Sequence, residues 1–368
     1  MIAPGETIGI LGGGQLGRMI AMAAAQLGYR CHVFAPEADS IAAEVCAAFT
    51  CARYDDRAAL AAFAADCAVV TYEFENVPVA PLSALAPVPL QPGARALEVA
   101  QDRVSEKRFV EGLGGRPAPW QAVDTAEDLA RALDTIGSPG ILKTRRDGYD
   151  GKGQWRIASL EDAAKLDLPT APLVYEGFVD FAAEFSVILC RGANGDVRYF
   201  DSAHNVHEGG ILSLSTVPAP AAVLEQVPAA RELAAKVAQA LDYVGVLTLE
   251  FFATEAGPVF NEMAPRVHNS GHWTIEGAET SQFENHLRAL LGLPLGSTAP
   301  RGCSAMVNLV GALPEPAAVL AVPGAHLHLY AKLARPGRKV GHVTVRADDR
   351  ATLDERLAQV RRVVPWRV

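Results

Sequence analysis

Apolar runs of four or five residues alternate with amphipathic stretches through the first 75 residues, the rhythm of buried strands covered by helices. Strands are expected at 7–11, 30–34 and 68–72, and helices at 16–27, 40–49 and 56–65, an alternation that predicts a parallel sheet wound with helices. Residues 77–92 are proline-rich and read as a rim rather than a packed element. A helix begins near Asp102, where Asp102, Arg103, Lys107 and Arg108 read as a solvated face. The middle of the chain carries helical spacing at 126–136, 159–166 and 229–241 and strand patterns at 140–144, 173–179 and 184–191. Two further apolar strands flank turn residues at 254–257, and beyond about 294 short strands such as MVNLVG and KVGHVTV predict a third, β-rich unit.

A length of 368 residues, half of them apolar, implies two or three domains. Acidic residues outnumber basic ones by 42 to 33, giving a net charge of −9 with no basic run, which disfavours nucleic acid and membrane surfaces as partners. The six cysteines form no C-x-x-C pair, so neither a zinc site nor a disulfide framework is expected, only buried thiols in a reducing cytosol. The amino terminus lacks a basic segment followed by an apolar core, and no stretch approaches the roughly 20 apolar residues that span a bilayer, so a soluble cytoplasmic protein is expected.

The first strand runs into IGILGGGQLGRMI, in which Gly12, Gly14 and Gly17 satisfy G-x-G-x-x-G and Glu37 follows about 20 residues on, as in a dinucleotide site. That spacing chiefly reports a helix packed close on a strand and is weak evidence for one ligand. More chemistry lies in VGVLTLEFFATEAGPVFNEMAPRVHNSGHWT. Folding Ala253 onto Pro258 sets Glu250 across from Asn261, one residue from Glu262. Two acids so close call for a cation, and oxygen ligands of this kind suit magnesium; the plain alternative is an exposed ladder with surface acids. The loop that follows crowds Arg266, His268, Asn269, Ser270 and His272 together, a donor set for a small anion. In DGYDGKGQ, Gly148, Gly151 and Gly153 surround Lys152, which reads either as a lid that closes over phosphates or as an ordinary surface hairpin. Lys143 ends the preceding strand, where it is a phosphate ligand or simply solvated. Lys332, Arg335, Arg338 and Lys339 cluster in YAKLARPGRKVGH, as a phosphate or carboxylate site or as a balance for acids on a neighbouring domain.

In order along the chain, the glycine-rich first strand, TYEFENVP, QDRVSEK, ILKTRRDGYDGKGQW, YEGFV followed by a glutamate, FNEMAPRVHNSGHWT, TSQFENHLRA and RPGRKVGH resemble the ATP-grasp carboxylases of purine biosynthesis, the 5-(carboxyamino)imidazole ribonucleotide synthase family. The resemblance runs nearly end to end and implies an α/β (α+β) architecture. A Rossmann-like pre-ATP-grasp domain would span 1–100, the ATP-grasp domain 101–295 with its lid at about 118–178, and a small β-rich domain 296–368. ATP would contact Arg103 and Lys143 with its phosphates, lie under Gly148, Tyr149, Asp150, Gly151, Lys152, Gly153 and Gln154, and meet the backbone of Glu176, Gly177, Phe178 and Val179 with its adenine. Glu184 would take the ribose hydroxyls, with His207 and Asn261 completing the site. Glu250 and Glu262 would hold magnesium, manganese being the alternative. Arg266, His268 and Asn269 would hold bicarbonate and, with Lys332, form the catalytic group.

The same resemblance implies that the ribonucleotide meets Lys332, Arg338 and Lys339 with its phosphate and Tyr149, Asp150 and Glu73 with its ribose or imidazole, Gln15, Arg266 and Ser270 being further ligands. Glu73 and Glu75 read equally as a solvated strand end, and Arg338 and Lys339 are alternatives for one phosphate contact. The expected reaction is ATP- and bicarbonate-dependent carboxylation of 5-aminoimidazole ribonucleotide through carboxyphosphate, in a homodimer. Rival readings are a sibling ATP-grasp enzyme, such as a formate-using glycinamide ribonucleotide transformylase or a biotin carboxylase, a dinucleotide-dependent oxidoreductase, and a nucleotide-binding regulatory protein. Nothing after the glycine loop supplies a hydride-transfer site, which argues against the oxidoreductase.

Overall fold

Short runs such as TIGIL are buried on both faces because helices cover a parallel sheet from either side. In the computed structural model, which describes residues 1–148, 153–166 and 168–366, the amino-terminal sheet contains β1 (Thr7–Leu11), β2 (Arg30–Ala35), β3 (Ala48–Cys51) and β4 (Val69–Tyr72). Its order is β3-β2-β1-β4 and every pair is parallel. The helix Gln15–Gln26 lays Leu16, Met19, Ile20 and Ala24 on this sheet. Two expectations fail here. Residues 40–49 are not a helix but a single 3-10 turn, Ala43–Val45, followed by β3, because the open edge of β2 offers AFTC a row of backbone partners that local helical spacing does not outweigh. Residues 77–92 are not a bare rim: Val77, Leu82 and Leu85 are buried against Leu60 and Phe63 of the helix Arg57–Ala65 and close the second face.

A smaller antiparallel sheet follows, made of β5 (Trp120–Val123), β6 (Gly140–Thr144), β7 (Gln154–Ile157) and β8 (Leu173–Gly177) in the order β5-β8-β6-β7. The helix Ala126–Ile136 covers it with Leu129 and Leu133, and starts where Thr125 and Asp128 form a reciprocal capping box. The DGYDGKGQ stretch links β6 to β7. Tyr149, Asp150, Gly151 and Lys152 lie outside the described residues.

The third sheet holds nine strands: β9 (Ala183–Arg191), β10 (Val197–Tyr199), β11 (Ala203–Glu208), β12 (Ile211–Val217), β13 (Gly245–Thr254), β14 (Gly257–Ala264), β15 (Cys303–Val310), β16 (Ala325–Leu329) and β17 (Lys339–Ala347). The order is β14-β13-β9-β11-β12-β15-β17-β16, with β10 added to β9 and all pairs antiparallel. The carboxy-terminal strands therefore do not build a sheet of their own. Pairing of β15 with β12 extends the central sheet, and the helix Arg350–Val363 covers the extension with Leu353, Leu357 and Val360. Of the six cysteines, Cys31, Cys67 and Cys190 are buried as expected, whereas Cys51 is exposed. No helix among the described residues is long and apolar enough to cross a membrane.

Candidate functional site

The hairpin β13/β14 positions the central acids. Ala253 pairs with Pro258 as the turn predicts, and Phe251 with Phe260, but a bulge between Glu250 and Phe251 then slips the register by one residue. Asn261 is the extra residue, so Glu250 lies across from Glu262 rather than from Asn261. Two carboxylates therefore face one another directly. Burial and then the charge of Glu262 push the Glu250 carboxyl up to about 7. Glu262 goes the other way. Burial opposes its ionisation, but Arg103, whose Nη1 is 3.2 Å from Oε2, and Lys143 hold it below the usual carboxylate range. Two such acids, one held ionised by neighbouring cations and one raised by burial and by its partner's charge, fit a divalent ion that takes carboxylates and phosphate oxygens together. No group of three or more His, Cys, Asp or Glu side chains among the described residues makes a fuller metal cage.

The polar loop after β14 divides. Arg266, His268 and Asn269 line a cleft of about 760 Å³ together with Glu250 and Glu262. Arg266 pairs with Glu75 at 2.9 Å, which makes Glu75 a partner rather than a solvated strand end. Burial, with nearby cations, pushes His268 well below the usual histidine range, so its ring is neutral. Its Nδ1 is 3.3 Å from the Ser270 amide nitrogen, and its Nε2 is 3.3 Å from Glu250 Oε1. Asn269 exchanges side-chain hydrogen bonds with Asn308 of β15 at 3.0 and 2.6 Å. Ser270 and His272 turn inward. Ser270 is fully buried, 2.8 Å from His268 Nδ1, and donates to Ser186 Oγ at 2.9 Å, so it reaches the cleft through His268 rather than by touching a ligand there. His272 is also fully buried, its ring 4.9 Å from that of His342, and belongs to the core.

The helix Arg103–Gly112 corrects the expectation of a solvated face for all of the named residues but Arg108, which is exposed. Asp102 caps it by accepting from the Val104 and Ser105 amides, while Arg103, Glu106 and Lys107 are buried. Arg103 joins Glu262 to the Gly148 carbonyl, to which it donates at 3.2 Å. Glu106, pushed up to about 8 by burial, accepts from the Met263 amide on the outer edge of β14 at 2.6 Å. Lys143 is buried too, its Nζ 2.9 Å from Glu176 Oε2, with Lys107 Nζ 3.1 Å from the other oxygen. Burial works against ionisation of Glu176, yet these two ammonium groups hold its carboxyl down at about 2. Just beyond, the Gly177 and Phe178 amides donate to the Pro119 and Pro139 carbonyls. Gly153 and Gln154 open β7, with Gln154 paired to Lys143 in register. Glu184 and His207 form a separate pair at 2.8 Å. Burial would lower His207, but the Glu184 bond raises it above the usual histidine range.

On the amino-terminal side of the cleft, Glu73 accepts from the Gly14 amide at 2.8 Å and the Gly17 amide at 3.4 Å. The donors a pyrophosphate would need at the first helix are thus engaged by a carboxylate of the same chain, which removes the dinucleotide reading of the glycine loop. Lys332 donates to Gln15, tying the carboxy-terminal loop to the start of that helix. Arg338 and Lys339 complete this side of the cleft wall. The sequence pattern put Lys107 on a solvated face and did not single out Glu106, Asn308 or Ser186. The signal was present: 103, 106 and 107 share a helical face, and Ser186 and Asn308 are single polar residues inside apolar strands.

An antiparallel lid sheet and a large antiparallel sheet with buried cations and acids between them make the architecture of an ATP-grasp enzyme, an ATP-dependent ligase, and family models match accordingly. The ATP-grasp domain covers residues 108–283, the ribonucleotide synthetase preATP-grasp domain 5–101 and the phosphoribosylaminoimidazole carboxylase C-terminal domain 304–356. The chain is 51% identical over 351 residues to the N5-carboxyaminoimidazole ribonucleotide synthase of Brucella melitensis, covering 93% of this chain and 97% of that one. The crystal structure of the synthetase from Thermus thermophilus is 52% identical and superimposes with a TM-score of 0.93 over 98% of this chain and 99% of that one. The Aspergillus clavatus enzyme, solved with ADP and 5-aminoimidazole ribonucleotide, is 32% identical with a TM-score of 0.89, covering 98% and 99%. The chain belongs to the N5-carboxyaminoimidazole ribonucleotide synthase family.

Proposed function

We propose that this chain carboxylates the exocyclic amine of 5-aminoimidazole ribonucleotide, using ATP and bicarbonate and releasing ADP and phosphate. The observation that carries the reading is the facing pair Glu250 and Glu262 in the wall of a cleft shared with Arg266, His268 and Asn269. Bicarbonate is a poor electrophile because it is anionic and hydroxide leaves badly. Its oxygen attacks the γ-phosphorus, the bond from that phosphorus to the bridging oxygen breaks, and ADP departs, leaving carboxyphosphate. The amine nitrogen then attacks the carboxyl carbon and expels phosphate, losing its proton.

Such a transfer needs positioning and charge neutralisation more than covalent help. Arg266, anchored by Glu75, and the neutral ring of His268 hold the bicarbonate, and Asn269 is kept in place by Asn308. Arg103 and Lys143 receive the ATP phosphates, Glu184 the ribose, and the hinge carbonyls with Val179 the adenine, because the Gly177 and Phe178 amides are committed inside the lid. His207 and Asn261 flank the nucleotide. Lys332 with Arg338 or Lys339 binds the ribonucleotide phosphate, and Gln15 and Glu73 lie on its sugar and base side. Glu250 and Glu262 would hold magnesium, or manganese, which when bound neutralises phosphate charge. The working divisions are 1–100, 101–295 and 296–368, and the active form is a cytoplasmic homodimer, which light scattering of the purified protein checks.

Phosphate release from ATP tests the reaction. It should require both aminoimidazole ribonucleotide and bicarbonate. Dependence on formate instead would assign a sibling ligase, and nucleotide binding without turnover would reject an enzyme.

A further inference from the structure

The helix Arg103–Gly112 turns Arg103, Glu106 and Lys107 into the protein on one face, yet the reaction above employs only Arg103. Lys107 is 1% exposed, and its Nζ sits 3.1 Å from Glu176 Oε1 while Lys143 Nζ sits 2.9 Å from Oε2. One buried carboxylate thus holds two ammonium groups, one on each oxygen. A buried carboxylate stripped of its counter-charge is strongly unfavourable. If Lys143 were the only partner of Glu176, it could not turn to a phosphate without stranding that charge.

We propose that Lys107 is a positioning residue for nucleotide binding: it retains the Glu176 carboxylate and so releases Lys143 to the phosphates of ATP. The inference rests on the nucleotide reading of Lys143 given above. The local charge balance favours the exchange. Burial, Lys107 and Arg103 work against the charge of Lys143 and Glu176 supports it; an arriving phosphate replaces the support of Glu176 and relieves the repulsion, while Lys107 stays where it is. The two lysines also come from different units. Lys107 lies on the helix that reaches β14 through Glu106, and Lys143 lies on the lid strand β6, so the exchange passes the lid lysine to the nucleotide without loosening the lid from that helix.

Equilibrium binding of ATP and of adenosine, which lacks phosphates, separates this role from a merely structural one. In Lys107→Met, ATP affinity should fall by about tenfold or more while adenosine affinity stays within about threefold, because only the phosphate contact needs Lys143 to leave. Lys107→Arg should bind both as wild type does. Adding Glu176→Gln to Lys107→Met should return the ratio of ATP to adenosine affinity to that of Glu176→Gln alone, since no carboxylate then detains Lys143. Equal losses for ATP and adenosine, or no loss for ATP, would overturn the proposal. Should Lys107→Met not fold, the double variant compared with Glu176→Gln carries the test, and a ratio still dependent on Lys107 would refute it. Lys143→Met separates the two layers of inference. Normal ATP binding there overturns the nucleotide reading itself, whereas its loss beside unimpaired ATP binding in Lys107→Met overturns only the role of Lys107.

Discussion

In Glu250→Gln, a carboxyl that is costly to ionise is replaced by an amide of nearly the same shape. Glu250 keeps only 10% of its side chain exposed and lies opposite Glu262. Burial and then Glu262 raise its carboxyl from 4.5 to about 7. An acid whose folded pKa exceeds its unfolded value costs stability once the pH passes the unfolded value, and the cost is complete above the folded one. At about 1.4 kcal/mol per unit this amounts to about 3 kcal/mol at pH 8 without divalent ions, and less than half of that at pH 5.5. Glutamine does not ionise, so the metal-free variant should be more stable than wild type at pH 8, with the advantage shrinking as the pH falls. The check is urea unfolding of both proteins in chelator at the two pH values, read by the shift in midpoint. Turnover should fall by about a thousandfold because the one remaining carboxylate would hold the divalent ion too weakly for it to neutralise phosphate charge. A variant no more stable than wild type at pH 8, or one whose advantage ignores pH, would refute the claim that Glu250 is held in the fold against its burial and the charge of Glu262.

Three other perturbations probe different parts of the cleft. Asp102→Ala removes the cap on the Val104 and Ser105 amides and the pairs with Arg145 at 2.9 Å and Arg146 at 3.4 Å, and should cost about 1–2 kcal/mol in chemical unfolding. Burial works against the charge of Asp102 but the Ser105 amide and Arg145 outweigh it, so its carboxyl is lowered from 3.8; the difference between wild type and variant should close as the pH falls below about 4. Gly12→Ala places a Cβ 2.6 Å from Glu73 Cγ at a φ of +117°, and should cost about 1–3 kcal/mol while raising KM for the ribonucleotide more than for ATP. Arg266→Ala should abolish ribonucleotide-stimulated phosphate release with little change in ATP affinity measured by titration calorimetry. An isolated loss of ATP binding would contradict its placement.

What could be read from the chain was what neighbours in sequence decide. The helix Ala126–Ile136 and the strand Gly140–Thr144 fall where the spacing of apolar residues puts them, and the turn of the β13/β14 hairpin is set by its own residues. The order of the chemical motifs likewise sufficed to name a family, because a reaction needing ATP, a divalent ion and a small anion demands particular side chains whatever covers them. Long-range pairing settled the rest. Residues 48–51 became a strand because β2 had an open edge, and one inserted residue, Asn261, changed the partner of Glu250. Charged residues in QDRVSEK look solvated until Glu176, Glu262 and the Met263 amide close over them, and a dinucleotide-like glycine loop is closed to phosphate by Glu73, 59 residues beyond Gly14. Periodicity reports which face of an element is apolar, but a buried charge is tolerable only through the partner it meets, and that partner is chosen by packing between segments far apart in the chain.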